Sequence, residues 1–178
     1  MALYPCTNNE IDSLINGSIK KINSNVTIIK PFAFANCAAL TDINFPNVTT
    51  LPQGCFQNCS SLKNIDLHNI TSFSASNIFY NCSTLEEAII YSISNIPTGT
   101  FNNCINFKTL VIKNQNMASL QTTQAFGGTQ FGDAGNGGKL YVPQSLIATY
   151  QANQNWSDLL ALNANNQILA IESSPYED

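Results

Sequence analysis

The chain has 178 residues, 44% of them hydrophobic and only 10% charged, which is enough apolar material for a packed core and speaks against wholesale disorder. All of its seven basic residues are lysine, and eleven acidic residues bring the net charge to -4. Without arginine or a basic cluster, DNA and RNA are poor candidate partners, and no apolar run approaches the roughly 18 residues that cross a bilayer.

The opening residues, Met1 to Glu10, carry no basic stretch and no long apolar run, so they do not read as a secretory signal. Thr7 to Gly17 reads as a short helix. Thr7 or Asn8 would cap it, Ile11, Leu14 and Ile15 give it an apolar side, and Gly17 is a natural stop. Ser18 to Ile29 looks like an incomplete first turn of the repeat that follows.

That repeat is carried by Cys37, Cys59, Cys82 and Cys104, spaced 22, 23 and 22 residues apart. Asn36, Asn58, Asn81 and Asn103 precede them. Phe34, Phe56, Phe79 and Phe101 lie three before. Three after come Leu40, Leu62, Leu85 and Phe107, six after Ile43, Ile65, Ala88 and Leu110, and eight after Phe45, Leu67, Ile90 and Ile112. Leu51, Phe73 and Ile96 fall fourteen after. The six-and-eight spacing predicts a short strand with one buried face, as in Leu40 to Phe45. A second extended piece, as in Val48 to Leu51, and a compact helical or 3-10 segment around Phe-x-x-Cys complete each turn. One turn cannot bury its own apolar face, so turns must stack, strand beside strand. The extra residue of the middle gap should bulge between Phe73 and Phe79.

Regularity ends after Asn114. Ala125-Phe126 is the trace of one more turn, and six of the nine glycines follow between Gly127 and Gly138, which marks a loop. Lys139 to Pro143 reads as a strand. Gln144 to about Leu160 reads as a helix broken near Asn153–Asn155, with Leu146, Ile147, Tyr150, Trp156, Leu159 and Leu160 buried. Gln167 to Glu172 reads as a last strand, and Ser173 to Asp178 as a frayed tail. The expected architecture is a mainly β solenoid of about five turns, in one domain. Residues 1–25 form a helical N-terminal cap, 26–114 the regular repeats, 115–138 the degenerate repeat and glycine-rich loop, and 139–178 a small α/β C-terminal cap.

The unit Ala33-Phe-Ala-Asn-Cys-Ala-Ala-Leu-Thr-Asp-Ile-Asn-Phe-Pro46 resembles the BspA-like (Treponema pallidum-type) leucine-rich repeat, whose core is Ala-Phe-x-x-Cys-x-x-Leu-x-x-Ile. Leu140 to Tyr150, followed by Asn155-Trp-Ser157, is similar to the end module common in that family. The resemblance implies a leucine-rich-repeat fold. It also implies a bacterial surface or secreted protein, or one associated with a phage of gut bacteria, with adhesion to a protein or other cells as the usual suggestion.

Few residues invite chemistry. One cysteine per turn is not the pair spacing of a zinc site, and free cysteine packs as a small hydrophobe, so a buried reduced ladder is expected. Cys55 stands where other turns have Ala33, Ile78 and Thr100, which again argues for packing. Cys6 would be an exposed thiol. The asparagine column should satisfy backbone groups at turns. The Asn-x-Ser/Thr triplets at Asn47, Asn58, Asn69 and Asn81 follow from the repeat and are not read as glycosylation sites. His68, the single histidine, is expected on the outer strand face, away from the cysteines, and no catalytic role, metal or cofactor is expected. The outward columns are Asp42, Asn64, Glu87 and Thr109; Asn44, Asp66, Ile89 and Val111; and Pro46, His68, Tyr91 and Lys113. They turn from polar to apolar along the chain. Ile89, Tyr91 and Val111 should form an exposed patch unless the C-terminal cap or the loop folds over it. His68, Ile89, Tyr91, Val111 and Lys113 are the candidate contacts for a protein or glycan partner.

Overall fold

The computed structural model describes residues 2–3, 21–23, 27–132 and 135–177. The helix expected over residues 7–17 and Cys6 lie outside the described residues. Strands β1 (Ala2–Leu3), β2 (Lys21–Asn23) and β3 (Ile28–Ile29) come first. Each later turn supplies two strands. They are β4 (Asp42–Asn44) with β5 (Thr50–Leu51), β6 (Asn64–Leu67) with β7 (Ser72–Phe73), β8 (Glu87–Ile90) with β9 (Asn95–Ile96), and β10 (Thr109–Ile112) with β11 (Ser119–Leu120). Strands β12 (Lys139–Val142) and β13 (Gln167–Ala170) enclose helices α1 (Ile147–Ala152) and α2 (Gln154–Ala161).

Every strand pair among the described residues is parallel. The main sheet runs β6-β8-β10-β12-β13, and β5–β7, β9–β11, β2–β4 and β1–β3 form smaller pairs. The register sets Ile65, Ala88, Leu110 and Leu140 side by side, each pointing inward. A slip of one residue would turn all of them outward, so the buried columns fix the pairing.

Inside, the column three before each cysteine becomes a stack of rings. Phe34 and Phe56 are 5.5 Å apart and 8° from parallel, Phe56 and Phe79 5.4 Å and 6°, and Phe79 and Phe101 5.7 Å and 5°. Phe126 continues the column 5.5 Å from Phe101. Leu40, Leu62, Leu85 and Phe107 are fully buried beside it.

The segment around Phe-x-x-Cys is not a helix but a run of tight turns, which corrects the helical expectation for the regular repeats. Two positions per turn have positive φ and break any helix. Five before each cysteine stand Phe32 at 59°, Gly54 at 56°, Asn77 at 61° and Gly99 at 72°. One before stand Asn36, Asn58, Asn81 and Asn103, between 58° and 66°. With those reversals, alternate amides face the next turn. Phe56 N–H donates to the Ile78 carbonyl at 3.0 Å, Asn58 N–H to Tyr80 at 2.9 Å and Asn81 N–H to Asn102 at 2.8 Å. Asparagine is here because it tolerates the left-handed conformation at little cost. Its side chains bond mainly to one another across turns rather than to backbone. Asn58 Nδ2 donates to Asn36 Oδ1 at 2.7 Å and Asn81 Nδ2 to Asn58 Oδ1 at 2.9 Å, and Asn103 ends the row on the Tyr80 hydroxyl at 3.0 Å.

The five described cysteines are free and buried. Their thiols do not bridge. Cys59 Sγ donates to the Phe34 carbonyl at 3.2 Å, Cys82 Sγ to Phe56 at 3.1 Å and Cys104 Sγ to Phe79 at 3.0 Å. Thr129 takes the cysteine place in the degenerate turn, with Gly128 at φ 71° in the asparagine place, and its hydroxyl donates to the Phe126 carbonyl at 2.7 Å. The extra residue of the middle repeat sits in Ser74–Ser76, between buried Phe73 and Phe79, without displacing either column.

The last turn is closed by aromatic side chains. Trp156 Nε1 donates to the Ala118 carbonyl at 2.8 Å, and the Tyr150 hydroxyl accepts from Ala118 N–H at 2.9 Å. Asn153 breaks the helical stretch and caps α2 by accepting from Trp156 N–H. Of the residues expected inward here, Tyr150, Trp156 and Leu159 are buried, while Leu146, Ile147 and Leu160 are half-buried. The glycine-rich loop is held by Asn163 Nδ2, which donates to the Gly132 and Gly135 carbonyls at 3.1 and 2.6 Å, and by Asn166, whose Oδ1 accepts from Gly138 N–H at 2.6 Å.

Two outcomes follow from this packing. Phe79→Ala removes a ring from the middle of the stack and should cost about 3–5 kcal/mol of unfolding free energy. Gly99→Ala should cost about 1–2 kcal/mol or more, because an L-residue resists that φ and its Cβ would fall 2.0 Å from Asn77 Oδ1. Urea denaturation checks both, and a Phe79→Ala cost below that of Gly99→Ala would reverse the ranking. Burial also pushes the Cys55 and Cys104 thiols above their ordinary range. Because all five described cysteines are shut away from solvent, they should stay inert to a thiol-specific chromogenic disulfide in native protein, and all six cysteines of the chain should react after denaturation.

Candidate partner-binding face

The residues that alternate with the buried columns of β4, β6, β8 and β10 form the outward face. Burial along it rises steadily towards the C-terminus. Asp42 and Asn64 are exposed, Glu87 is half-buried and Thr109 is buried; Asn44 and Asp66 are exposed, Ile89 is half-buried and Val111 is fully buried. In the third column Pro46 and His68 are exposed, and Tyr91 and Lys113 half-buried. Val111 is therefore not part of an exposed patch.

The cause is the C-terminal segment, which is folded rather than frayed. A 3-10 turn (Ile171–Ser173) follows β13, and Ser174 Oγ bonds back to the Ile171 carbonyl at 2.6 Å. Glu172 accepts from Gln144 N–H at 3.0 and 3.1 Å. The chain then returns over the sheet. The Tyr176 ring packs edge-on against Tyr141 of β12 at 5.0 Å, and its hydroxyl donates to the Glu87 carboxylate of β8. Tyr176 thereby bridges the strands on either side of β10, above Thr109 and Val111. In sequence the tail offered only one tyrosine among small and polar residues, and its partner lies 89 positions earlier.

Between this returning segment and the strand face lies a groove of about 400 Å³. Tyr91, Lys113 and Gln115 line it from the sheet side, and Ser145, Glu172 and Tyr176 are among the residues facing them. The Tyr91 ring is fixed in place: its hydroxyl donates to Asp66 Oδ2 at 3.4 Å, and the Lys113 ammonium lies 5.4 Å from its centroid. His68 extends the row, with Nδ1 3.2 Å from Asp66 Oδ1 and its ring edge-on to Tyr91 at 6.4 Å. So the structure groups Tyr91 and Lys113 in the groove, sets His68 beside it, and places Ile89 and Val111 in the sheet beneath. A second hollow, of about 20 Å³, is lined by Leu67, His68 and Ile70 among others and holds little more than one water.

No group of three or more His, Cys, Asp and Glu among the described residues could hold a metal ion. No helix among them is long and apolar enough to cross a membrane. Glu86, ion-paired to Lys108 at 2.7 Å and Lys63 at 3.1 Å, has its carboxyl held below the usual range by Lys108 and then Lys63, but it is a half-buried surface residue paired with two exposed lysines and forms part of no site.

Parallel pairing of short strands, left-handed corners and buried Phe-x-x-Cys columns at this period define a leucine-rich-repeat protein. More narrowly, the chain belongs to the BspA-type leucine-rich-repeat family, whose repeat region matches residues 13–131 in six copies. That is one more than the five turns read from sequence, and the match begins within the segment taken for a cap. The crystal structure of the pneumococcal vaccine antigen PcpA is similar at 20% identity, with a TM-score of 0.57 over 84% of this chain and 35% of that one. A leucine rich cell surface protein from Faecalibacterium prausnitzii is 37% identical over 52% of this chain and 24% of its own, with a TM-score of 0.46. For a leucine-rich repeat protein from Bacteroides ovatus the values are 21%, 70%, 43% and 0.39. The chain thus spans less than half the length of each of these proteins. Curated proteins compared with it give no match.

The aromatic clamps have an expected pH signature. Burial, partly offset by the Ala118 N–H, pushes the Tyr150 phenol up to about 12. Burial and the Glu87 carboxylate push Tyr176 up as well. Both stay protonated in the folded protein at pH values where an unfolded tyrosine, with its pKa near 10, ionises. Their contribution is fully present below about pH 10 and is lost as the pH rises towards about 12. The urea midpoint should fall across that window, and Tyr150→Phe should flatten the fall.

Proposed function

We propose that the chain is a non-enzymatic recognition module, adhesin-like, of a bacterium or its phage, working in one domain of residues 1–178. It holds a protein or glycan partner on the outward strand face beside the returning C-terminal segment. The groove carries this reading: a concavity of about 400 Å³ lies where Tyr91, hydrogen-bonded to Asp66, meets the tail. Membership of the BspA-type family supports a place at the cell surface or outside it. An acidic chain without arginine supports a partner other than nucleic acid.

Tyr91→Ala should weaken partner binding about tenfold or more while leaving the thermal midpoint within a few degrees, as expected for an aromatic anchor at a contact. Binding to immobilised host matrix proteins, whole bacterial cells and glycans checks this. Unchanged affinity in the folded variant would remove the groove from the reading.

A second reading has its own observation. Strand β13 pairs with β12 on one side and with no other strand among the described residues. An open parallel edge favours assembly with another chain. Light scattering across a concentration series separates the two: a stable oligomer that hides Tyr91 supports assembly, and a monomer supports recognition.

A further inference from the structure

We infer that the groove is a subsite for one or two neutral sugar residues. This rests on the recognition reading above and narrows it to a ligand class. Its volume of about 400 Å³ falls within the range of roughly 300–1,000 Å³ that suits a small ligand. A protein epitope spreads instead over roughly 800 Å² per partner.

The lining has matching chemistry. A sugar ring offers C–H patches edged by hydroxyls. Tyr91 and Tyr176 supply aromatic surface, and Gln115, Ser145, Glu172 and Glu177 supply amide, hydroxyl and carboxylate groups among them. Such convergent polar groups on an aromatic wall are what fix the orientation of a small polar ligand.

Charge selects the neutral class. Two carboxylates face the groove against one ammonium, that of Lys113, which is already drawn to the Tyr91 ring. Sulfated or sialylated glycans would meet a net negative wall. Both tyrosines are also fixed before any ligand arrives, Tyr91 by Asp66 and Lys113, Tyr176 by Glu87 and Tyr141. Little ordering entropy then remains to oppose binding.

The test is calorimetric titration of the full chain with lactose, N,N′-diacetylchitobiose, cellotriose, 3′-sialyllactose and tetralysine. At least one neutral saccharide should bind saturably. Tyr91→Ala and Gln115→Ala should each weaken it about tenfold, and Gln53→Ala, on an exposed corner away from the groove, should not. Gln115 is exposed, so its variant tests the contact without threatening the fold. Binding of sialyllactose or tetralysine alone, no saccharide binding at all, or affinity indifferent to both substitutions would overturn the sugar assignment. Tyr91-dependent capture of a protein ligand in the same preparation would show that the recognition reading outlives it. Loss of every Tyr91-dependent partner would sink both.

Discussion

Alternate backbone amides at one corner of each turn donate to the turn that follows, and the rest of the structure depends on those bonds. They require two left-handed residues per turn, set four positions apart, as in Gly54 and Asn58 or Gly99 and Asn103. Given them, successive turns lie in register. The phenylalanine rings then stack within 8° of parallel in the regular turns, and each thiol of Cys59, Cys82 and Cys104 reaches a carbonyl of the turn before it. The surface ion pairs of Glu86 are minor beside this, since exposed pairs are each worth about 1 kcal/mol or less, whereas deleting one buried ring costs several times that.

A stack built this way has a problem at its end, where the apolar columns would meet water. Here the answer has two parts on two faces. Trp156 and Tyr150 close the narrow side by holding both backbone groups of Ala118. The tail closes part of the broad side, with Tyr176 spanning from β12 to β8. Closure is incomplete beyond Tyr176, and that shortfall leaves the groove beside Tyr91. The candidate site is thus a by-product of how the sheet is finished, built from residues of two regular turns and of the cap.

Much of the fold was legible because the cysteine, phenylalanine and leucine columns repeat at a fixed interval, and a period survives any uncertainty about single residues. The inward and outward strand faces followed from the same interval. The corner asparagines were visible too, but their reason was not, because a left-handed φ leaves no mark that separates it from an ordinary turn. The helical expectation for Phe-x-x-Cys failed on the same point. The tail was illegible for another cause. Tyr176 and Glu87 belong to no column and lie 89 residues apart, so nothing local announces their contact. Column position puts Val111 on the outward face and leaves open whether the cap covers it; the Tyr176 contact is what buries it. Column position sets Tyr91 and Lys113 on the outward face, but the groove that joins them to the cap depends on contacts that no local pattern announces.

The bulge at Ser74–Ser76 has a consequence for how such chains change length. One added residue sits at a surface corner while Phe73 and Phe79 on either side keep their places. Length is therefore set in two separate currencies. Corners accept single residues and only alter the outline, whereas the columns accept change only in whole turns. A lineage can lengthen the molecule by duplicating a turn, or reshape its rim residue by residue, and neither route disturbs the spacing that the other relies on.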